Sequence, residues 1–165
     1  MCGRSFSGKS TIARALAIAL DAKIVSLDSI NEERGLFGGE GIAVEEWIRT
    51  NEEAARRVSV LLGDNERVVV DDISSPRFLR DDWRSLAKQR NAAFVLVYVD
   101  TPSHVMRERL LKNRERSIRH DVTDEVMTDH LESFEPPEPD EEHVVTSSRI
   151  EDMPTLFSEV RQSIE

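Results

Sequence analysis

Apolar and polar positions along the chain alternate between two periods. Short apolar runs at Lys23–Leu27, Arg67–Val70, Ala92–Val99 and His143–Thr146 predict buried strands. Between them apolar residues recur every three or four positions, the spacing of a helix face. Ile12, Ala13, Leu16, Ala17 and Leu20 predict a helix from Lys9 to about Leu20. Ser29–Arg34 predicts a helical turn. Val44 to Leu62 predicts a long helix with Trp47, Ile48, Ala55, Val58 and Leu62 inward, stopped by Gly63-Asp64-Asn65. Ser75-Pro76 predicts a helix start, Ser as cap and Pro at the first helical position, with Phe78, Leu79, Trp83, Leu86 and Ala87 as its buried stripe. Helices are also expected after Thr101-Pro102, over Val122–Phe134 and over Met153–Ile164.

Strands that alternate with amphipathic helices require a parallel sheet covered on both faces, joined by right-handed crossovers. The fold class is therefore α/β in three layers, α/β/α. A length of 165 residues fits one domain with a real core.

Composition narrows the partners. The chain has 22 Lys and Arg against 32 Asp and Glu, a formal net charge of −10, which argues against the basic footprint of non-specific nucleic-acid binding. No apolar run approaches a membrane span and no leader pattern is visible, so the expectation is a cytoplasmic protein with no membrane partner. The single cysteine, Cys2, excludes an internal disulfide, and His104, His120, His130 and His143 lack metal-ligand spacing.

The chemistry begins at Gly3-Arg4-Ser5-Phe6-Ser7-Gly8-Lys9-Ser10-Thr11, which matches G-x-x-x-x-G-K-[ST], the phosphate-binding P-loop. Gly3 and Gly8 let the backbone approach a phosphate closely. The loop N–H groups, those of Ser5, Phe6, Ser7 and Gly8 among them, and the positive end of the next helix face the same anion. Lys9 reaches the β- and γ-phosphates, and the Ser10 hydroxyl is a magnesium ligand in such loops. A random chain of this length would match about 1% of the time or less. ATP and Mg²⁺ are the expected cofactors. Such a loop needs a strand before it, yet only Met1 and Cys2 precede Gly3; the expectation is a truncated first strand or a stub of one.

Carboxylates end the strands at Asp28, at Asp71-Asp72 and at Asp100, on the sheet edge where ligands of open α/β folds bind. Asp72 reads as a cap near Ser75-Pro76, and Asp100 as a cap of its own helix. Four of the seven glycines fall in Gly35–Gly41, read as a connector or as a flap over the acceptor. Arg77, Arg80 and Arg84 read as a solvated face partnered by Asp81 and Asp82. Arg107, Arg109, Arg114, Arg116 and Arg119, with Lys112, form the basic cluster of an acidic chain and are expected to act as a phosphate-facing lid around residues 112–122. Glu135–Glu142 reads as a Pro/Glu loop.

The chain resembles the small P-loop kinases of the polynucleotide-kinase, chloramphenicol-phosphotransferase and zeta-toxin group. The marks are the loop Gly3–Thr11, Val25-Ser26-Leu27-Asp28, Val68-Val69-Val70-Asp71-Asp72, Val97-Tyr98-Val99-Asp100-Thr101-Pro102, the arginine-rich lid and Phe134-Glu135-Pro136-Pro137. The resemblance implies a P-loop NTPase fold with strand order 2-3-1-4-5, ATP as donor and a hydroxyl as acceptor. It implies that Lys9 holds the β/γ-phosphates, Thr11 touches the α-phosphate, and Asp28 accepts the hydroxyl proton. Ser10 would bind magnesium, Asp71 would reach it through water, and Arg114 with Arg119 or Arg116 would supply lid charge. The polynucleotide kinases of this group carry an arginine three residues after the base aspartate. Here that place holds Asn31, with Arg34 one turn on, which favours a small-molecule acceptor over RNA or DNA. A nucleotide-binding module without an acceptor and a plain ATPase stay open as alternatives.

Overall fold

The computed structural model describes residues 1–37, 41–116 and 122–164. Gly38, Gly39 and Glu40 of the glycine-rich loop lie outside the described residues, and so do Arg119, His120 and the rest of 117–121 in the expected lid.

Four short strands are present: β1 Ala22–Ser26, β2 Arg67–Asp71, β3 Val97–Val99 and β4 Val144–Thr146. β1 pairs with β2 and β3 with β4, both in parallel, with Ser26 opposite Asp71 and Val99 opposite Thr146. The segment Met1–Gly3 lies between the two ladders. On one side Cys2 donates to Val97 O at 2.8 Å and accepts from Val99 N at 2.8 Å. On the other, Met1 N donates to Val70 O at 2.8 Å and Gly3 N to Ile73 O at 3.1 Å. Counted as a first strand, this segment completes the order 2-3-1-4-5.

The helices are α1 Lys9–Leu20, α2 Leu27–Glu33, α3 Val44–Gly63, α4 Arg77–Gln89, α5 Ser103–Arg116, α6 Asp124–Glu132 and α7 Met153–Ile164, the last preceded by a 3₁₀ turn at Ile150–Asp152. Alternation along β2 divides the core. Val69, with Val97 and Val99, packs against Ile12, Ala13 and Leu16 of α1 and Leu156 and Val160 of α7. Val68 and Val70 face the other way, toward Val25, Ala54 and Val58, with Trp83 and Leu86 of α4. That opposition of neighbouring side chains is what makes a three-layer α/β/α sandwich out of a two-faced strand.

Several expectations are corrected. The run Ala92–Val99 yields a ladder only over Val97–Val99, where it pairs with Val144–Thr146. Ile48 is 53% exposed and Phe78 64% exposed, so neither belongs to the stripe assigned to it. In α3 the buried positions are Thr50, Ala54 and Val58. Pro76 rather than Ser75 caps α4, and the Ser75 hydroxyl accepts from Glu135 N at 3.0 Å. Arg80 is not solvated. It is buried against Glu141, to which Nε and Nη2 donate at 2.7 and 2.6 Å, and Nη1 donates to the Ser74 and Glu135 carbonyls at 3.0 Å. Helical spacing alone does not reveal this, because the partner lies 61 residues away in the Pro/Glu loop.

Candidate active site at the phosphate loop

The loop from Gly3 to Gly8 joins the central segment to α1, and its backbone is in places accessible only to glycine at low cost. Gly3 has φ 152°, and a Cβ there would lie 2.9 Å from Val99 O; Gly8 has φ 103°, and a Cβ there would lie 2.8 Å from Ser148 Cβ. Phe6 adopts φ 61° despite its side chain. A non-glycine residue in that region costs about 1–2 kcal/mol. Burying the Phe6 ring among Met106, Leu110, Val122 and Met127 returns about 1.5–3 kcal/mol, which offsets it.

The loop is held from outside by residues that the motif does not contain. Thr101 Oγ1 donates to Ser7 O at 2.8 Å. Arg109 Nη1 donates to Phe6 O at 3.1 Å and to Ser7 O at 2.8 Å, and its Nη2 donates to Ser148 Oγ at 2.6 Å. These bonds hold the Phe6 and Ser7 carbonyls from outside, while within the loop the Ser7 amide donates to Arg4 O at 3.1 Å. Ser5 Oγ lies 3.1 Å from His130 Nδ1. Arg4 lies over the Phe134 ring, 4.8 Å from its centroid, and Phe134 stacks on Tyr98. No motif announced Arg109, His130 or Ser148, and Thr101 was read only as part of a strand end and helix start. The arginine cluster was visible, but not which of its members turns toward the loop.

Lys9 is buried and Nζ donates to Arg4 O at 2.8 Å, so the ammonium is folded back on the loop's own carbonyl. Ser7 is completely buried, and its hydroxyl is the one buried side-chain polar atom without a hydrogen-bond partner among the described residues. An orphaned hydroxyl beside Gly3, in a glycine-flanked loop that leads into a helix N-terminus, fits a polyphosphate as the missing partner. Burial pushes the Cys2 thiol up to about 11, so it stays protonated at neutral pH. His130 is shifted down by burial, reinforced by the Lys9 charge and opposed by Asp129.

Among the sequence-derived residues, Gly3, Ser5, Phe6, Ser7, Gly8, Lys9, Ser10 and Thr11 all belong to this loop and the first turn of α1. Asp71 ends β2, between the two contacts that Met1–Gly3 makes with Val70 and Ile73. It is half-buried, and the Met1 amino group lies within electrostatic reach of Asp71, Asp72 and Lys9 together. Asp72 accepts from the amide and hydroxyl of Ser74, both at 2.9 Å, and so fixes the turn before α4. Asp28 does not end a strand; it is exposed in the first turn of α2, two residues past β1. β1 is two strands out from Met1–Gly3, so the strand leading to Asp28 runs roughly 10 Å from the one leading into the loop. Asp100 does not cap its helix; its Oδ1 accepts from the Tyr98 hydroxyl at 3.2 Å.

Two cations are engaged elsewhere. Arg114 donates to Asp124 Oδ1 at 2.9 Å and to Val122 O at 2.8 Å, tying the end of α5 to the start of α6. Arg34 binds Glu46 and the Thr50 hydroxyl, and Thr50 in turn donates to the buried Asn31, locking α2 to α3. Arg34 is therefore committed to the scaffold rather than presented to an acceptor phosphate. Among the described residues no group of three His, Cys, Asp or Glu side chains is placed to hold a metal. A hard cation held in such a site would take phosphate oxygens among its ligands, which is how magnesium is held in nucleotide sites.

The chain was compared with known proteins. The family model described as an AAA domain matches residues 1–137. Adenylyl-sulfate kinase of Saccharomyces cerevisiae (strain ATCC 204508 / S288c) is 32% identical over 166 residues, covering 96% of this chain and 80% of that protein. The adenylyl-sulfate kinase of Saccharomyces bayanus is 34% identical over 155 residues, covering 90% and 75%. Among solved structures, Chaetomium thermophilum Kti12 in complex with ADP-AlF3 superposes with TM-score 0.78 at 18% identity over 99% of this chain and 97% of that one. Mycobacterium tuberculosis APS kinase CysC in complex with AMPPNP and APS gives TM-score 0.67 at 18% identity over 98% and 92%. These two superpositions establish the P-loop NTPase fold.

Proposed function

We propose, from the premise that this chain belongs to the AAA-domain family and is an ATP-dependent kinase, that it transfers the γ-phosphoryl group to a hydroxyl of a small molecule. The observation that carries the reading is the arrangement at one sheet edge: a glycine-flanked loop with an orphaned Ser7 hydroxyl, Lys9 within it, and Asp71 beside it. Phosphoryl transfer is chiefly positioning and charge stabilisation, so these are the parts it needs.

In this reading Lys9 leaves Arg4 O for the β- and γ-phosphate oxygens, and the loop amides take the remaining charge. Ser10 and Asp71 would hold magnesium, which when bound would supply neutralisation of charge on the transferring group. Asp28, exposed at the start of α2, accepts the proton of the acceptor hydroxyl. Arg114 exchanges Asp124 for the transferring group, and Arg119 adds to it.

The acceptor enters between β1 and the loop. Adenylyl sulfate is the first compound to try, because the curated relatives are named for acting on it. The commitment of Arg34 to Glu46 and the net charge of −10 both weigh against a polynucleotide 5′-end. The test is transfer of label from γ-labelled ATP to a panel of hydroxyl compounds headed by adenylyl sulfate. Asp28→Asn should abolish transfer and spare ATP binding. Transfer that persists in Asp28→Asn removes the base assignment, and hydrolysis without any labelled acceptor favours the plain ATPase.

A further inference from the structure

Three successive residues of the phosphate loop dock on α6 and the segment that leaves it. Arg4 lies over the Phe134 ring, Ser5 Oγ meets His130 Nδ1 at 3.1 Å, and the Phe6 ring shares a buried cluster with Met127. Met127, His130 and Phe134 stand three and four positions apart, so they form a single stripe along α6 and the residues just beyond it. The loop's variable positions therefore read like a row of teeth in register with that stripe.

We propose that α6 sets the shape of the phosphate loop through this seam, and that His130 is the positioning residue in it, acting on bound nucleotide through Ser5. The inference rests on ATP binding at the loop and adds a residue that the P-loop motif does not contain. The reasoning is mechanical. A loop that binds an anion through its backbone requires the peptides from Arg4 to Ser7 to be held against rotation. Arg109 and Thr101 grip the carbonyls of Phe6 and Ser7, and Lys9 Nζ and the Ser7 amide grip that of Arg4, which leaves the side chains of Arg4 and Ser5 to the α6 side. There His130 is the one side chain that hydrogen-bonds a loop side chain among the contacts described, and Ser5 is itself buried, so its hydroxyl would otherwise lose its partner. Helix α6 is in turn fastened at its start by Arg114 through Asp124 and Val122. The chain of contacts runs from α5 through α6 to the loop.

The experiment is titration of the whole chain with magnesium and AMPPNP, a non-hydrolysable ATP analogue, with a thermal melt of every variant. Ser5→Ala and His130→Ala should each weaken binding roughly 3- to 10-fold, the worth of one hydrogen bond. The double variant should be no weaker than either single one, and His130→Asn, which offers an amide near the Nδ1 position, should bind within about twofold of the original chain. Additive losses, unchanged binding in His130→Ala, or a His130→Asn as weak as His130→Ala at an unchanged melting temperature overturns the proposal. If His130→Ala does not fold, the comparison is made in the His130→Asn background, where Ser5→Ala must still cost binding. Lys9→Ala separates the two readings. Unchanged binding there removes the nucleotide site itself, whereas a loss there with no coupling between Ser5 and His130 removes only the α6 seam.

Discussion

Arg80 and Glu141 form an ion pair in which each side chain is only 1% exposed, across 61 residues of sequence. It joins α4 to the loop that follows α6, and Arg80 also donates to the Ser74, Ser75 and Glu135 carbonyls. Removing one partner strands a buried charge, which costs about 3–5 kcal/mol. Glu141→Gln and Arg80→Met should each lower stability by that order, and urea denaturation reads it out. A loss below about 1 kcal/mol would mean that the pair behaves as a surface bridge.

Acid should show the same pair. Hydrogen bonds from Arg80 hold the Glu141 carboxyl down at about 2, against an ordinary value of 4.5. Its folded pKa is depressed, so its contribution is fully present above 4.5 and is lost as pH falls from there toward 2. Denaturant midpoints measured between pH 5 and 2.5 should fall for the original chain and fall less steeply for Glu141→Gln.

The two loop glycines should fail in different ways. A Cβ at Gly3 meets the backbone oxygen of Val99, which cannot swing aside, so Gly3→Ala should destabilise the sheet by about 1–3 kcal/mol. A Cβ at Gly8 meets the Ser148 side chain and the Arg109 guanidinium. Gly8→Ala should lose nucleotide affinity out of proportion to stability. Melting temperatures and analogue binding on both variants decide it, and equal effects would contradict the assignment.

Arg109 holds two consecutive loop carbonyls and Ser148 with one planar fork. Arg109→Lys cannot reproduce that geometry and should weaken ATP binding about tenfold, nearly as much as Arg109→Ala. Full recovery in Arg109→Lys would show that charge alone matters.

Lys9→Ala should reduce phosphoryl transfer by about 10²-fold or more, since it removes a preorganised cation from the transferring charge. Steady-state turnover with the best acceptor from the panel measures it, and turnover near that of the original chain would remove Lys9 from the mechanism.

Much of this was legible in the chain. Met153–Ile164 reads as a helix from its period and is one, and the alternation of strands and helices leads to the three-layer order. The loop was legible because its chemistry demands glycine and lysine at fixed spacing. What escaped reading depends on contacts between distant segments. Arg80 looks like a surface arginine until Glu141 folds over it. Arg109 looks like one of several lid cations until the loop carbonyls are seen beneath it. Asp28 was expected at a strand end, but Ser26 accepts from Ser29 N and begins a helix two residues early.

The Met1–Gly3 segment bonds to both ladders and then becomes the phosphate loop. Whatever tightens that loop therefore also draws the two ladders together. A nucleotide here works as a clasp for the sheet as well as a reactant, and amide exchange should slow on both sides of the junction when one is bound.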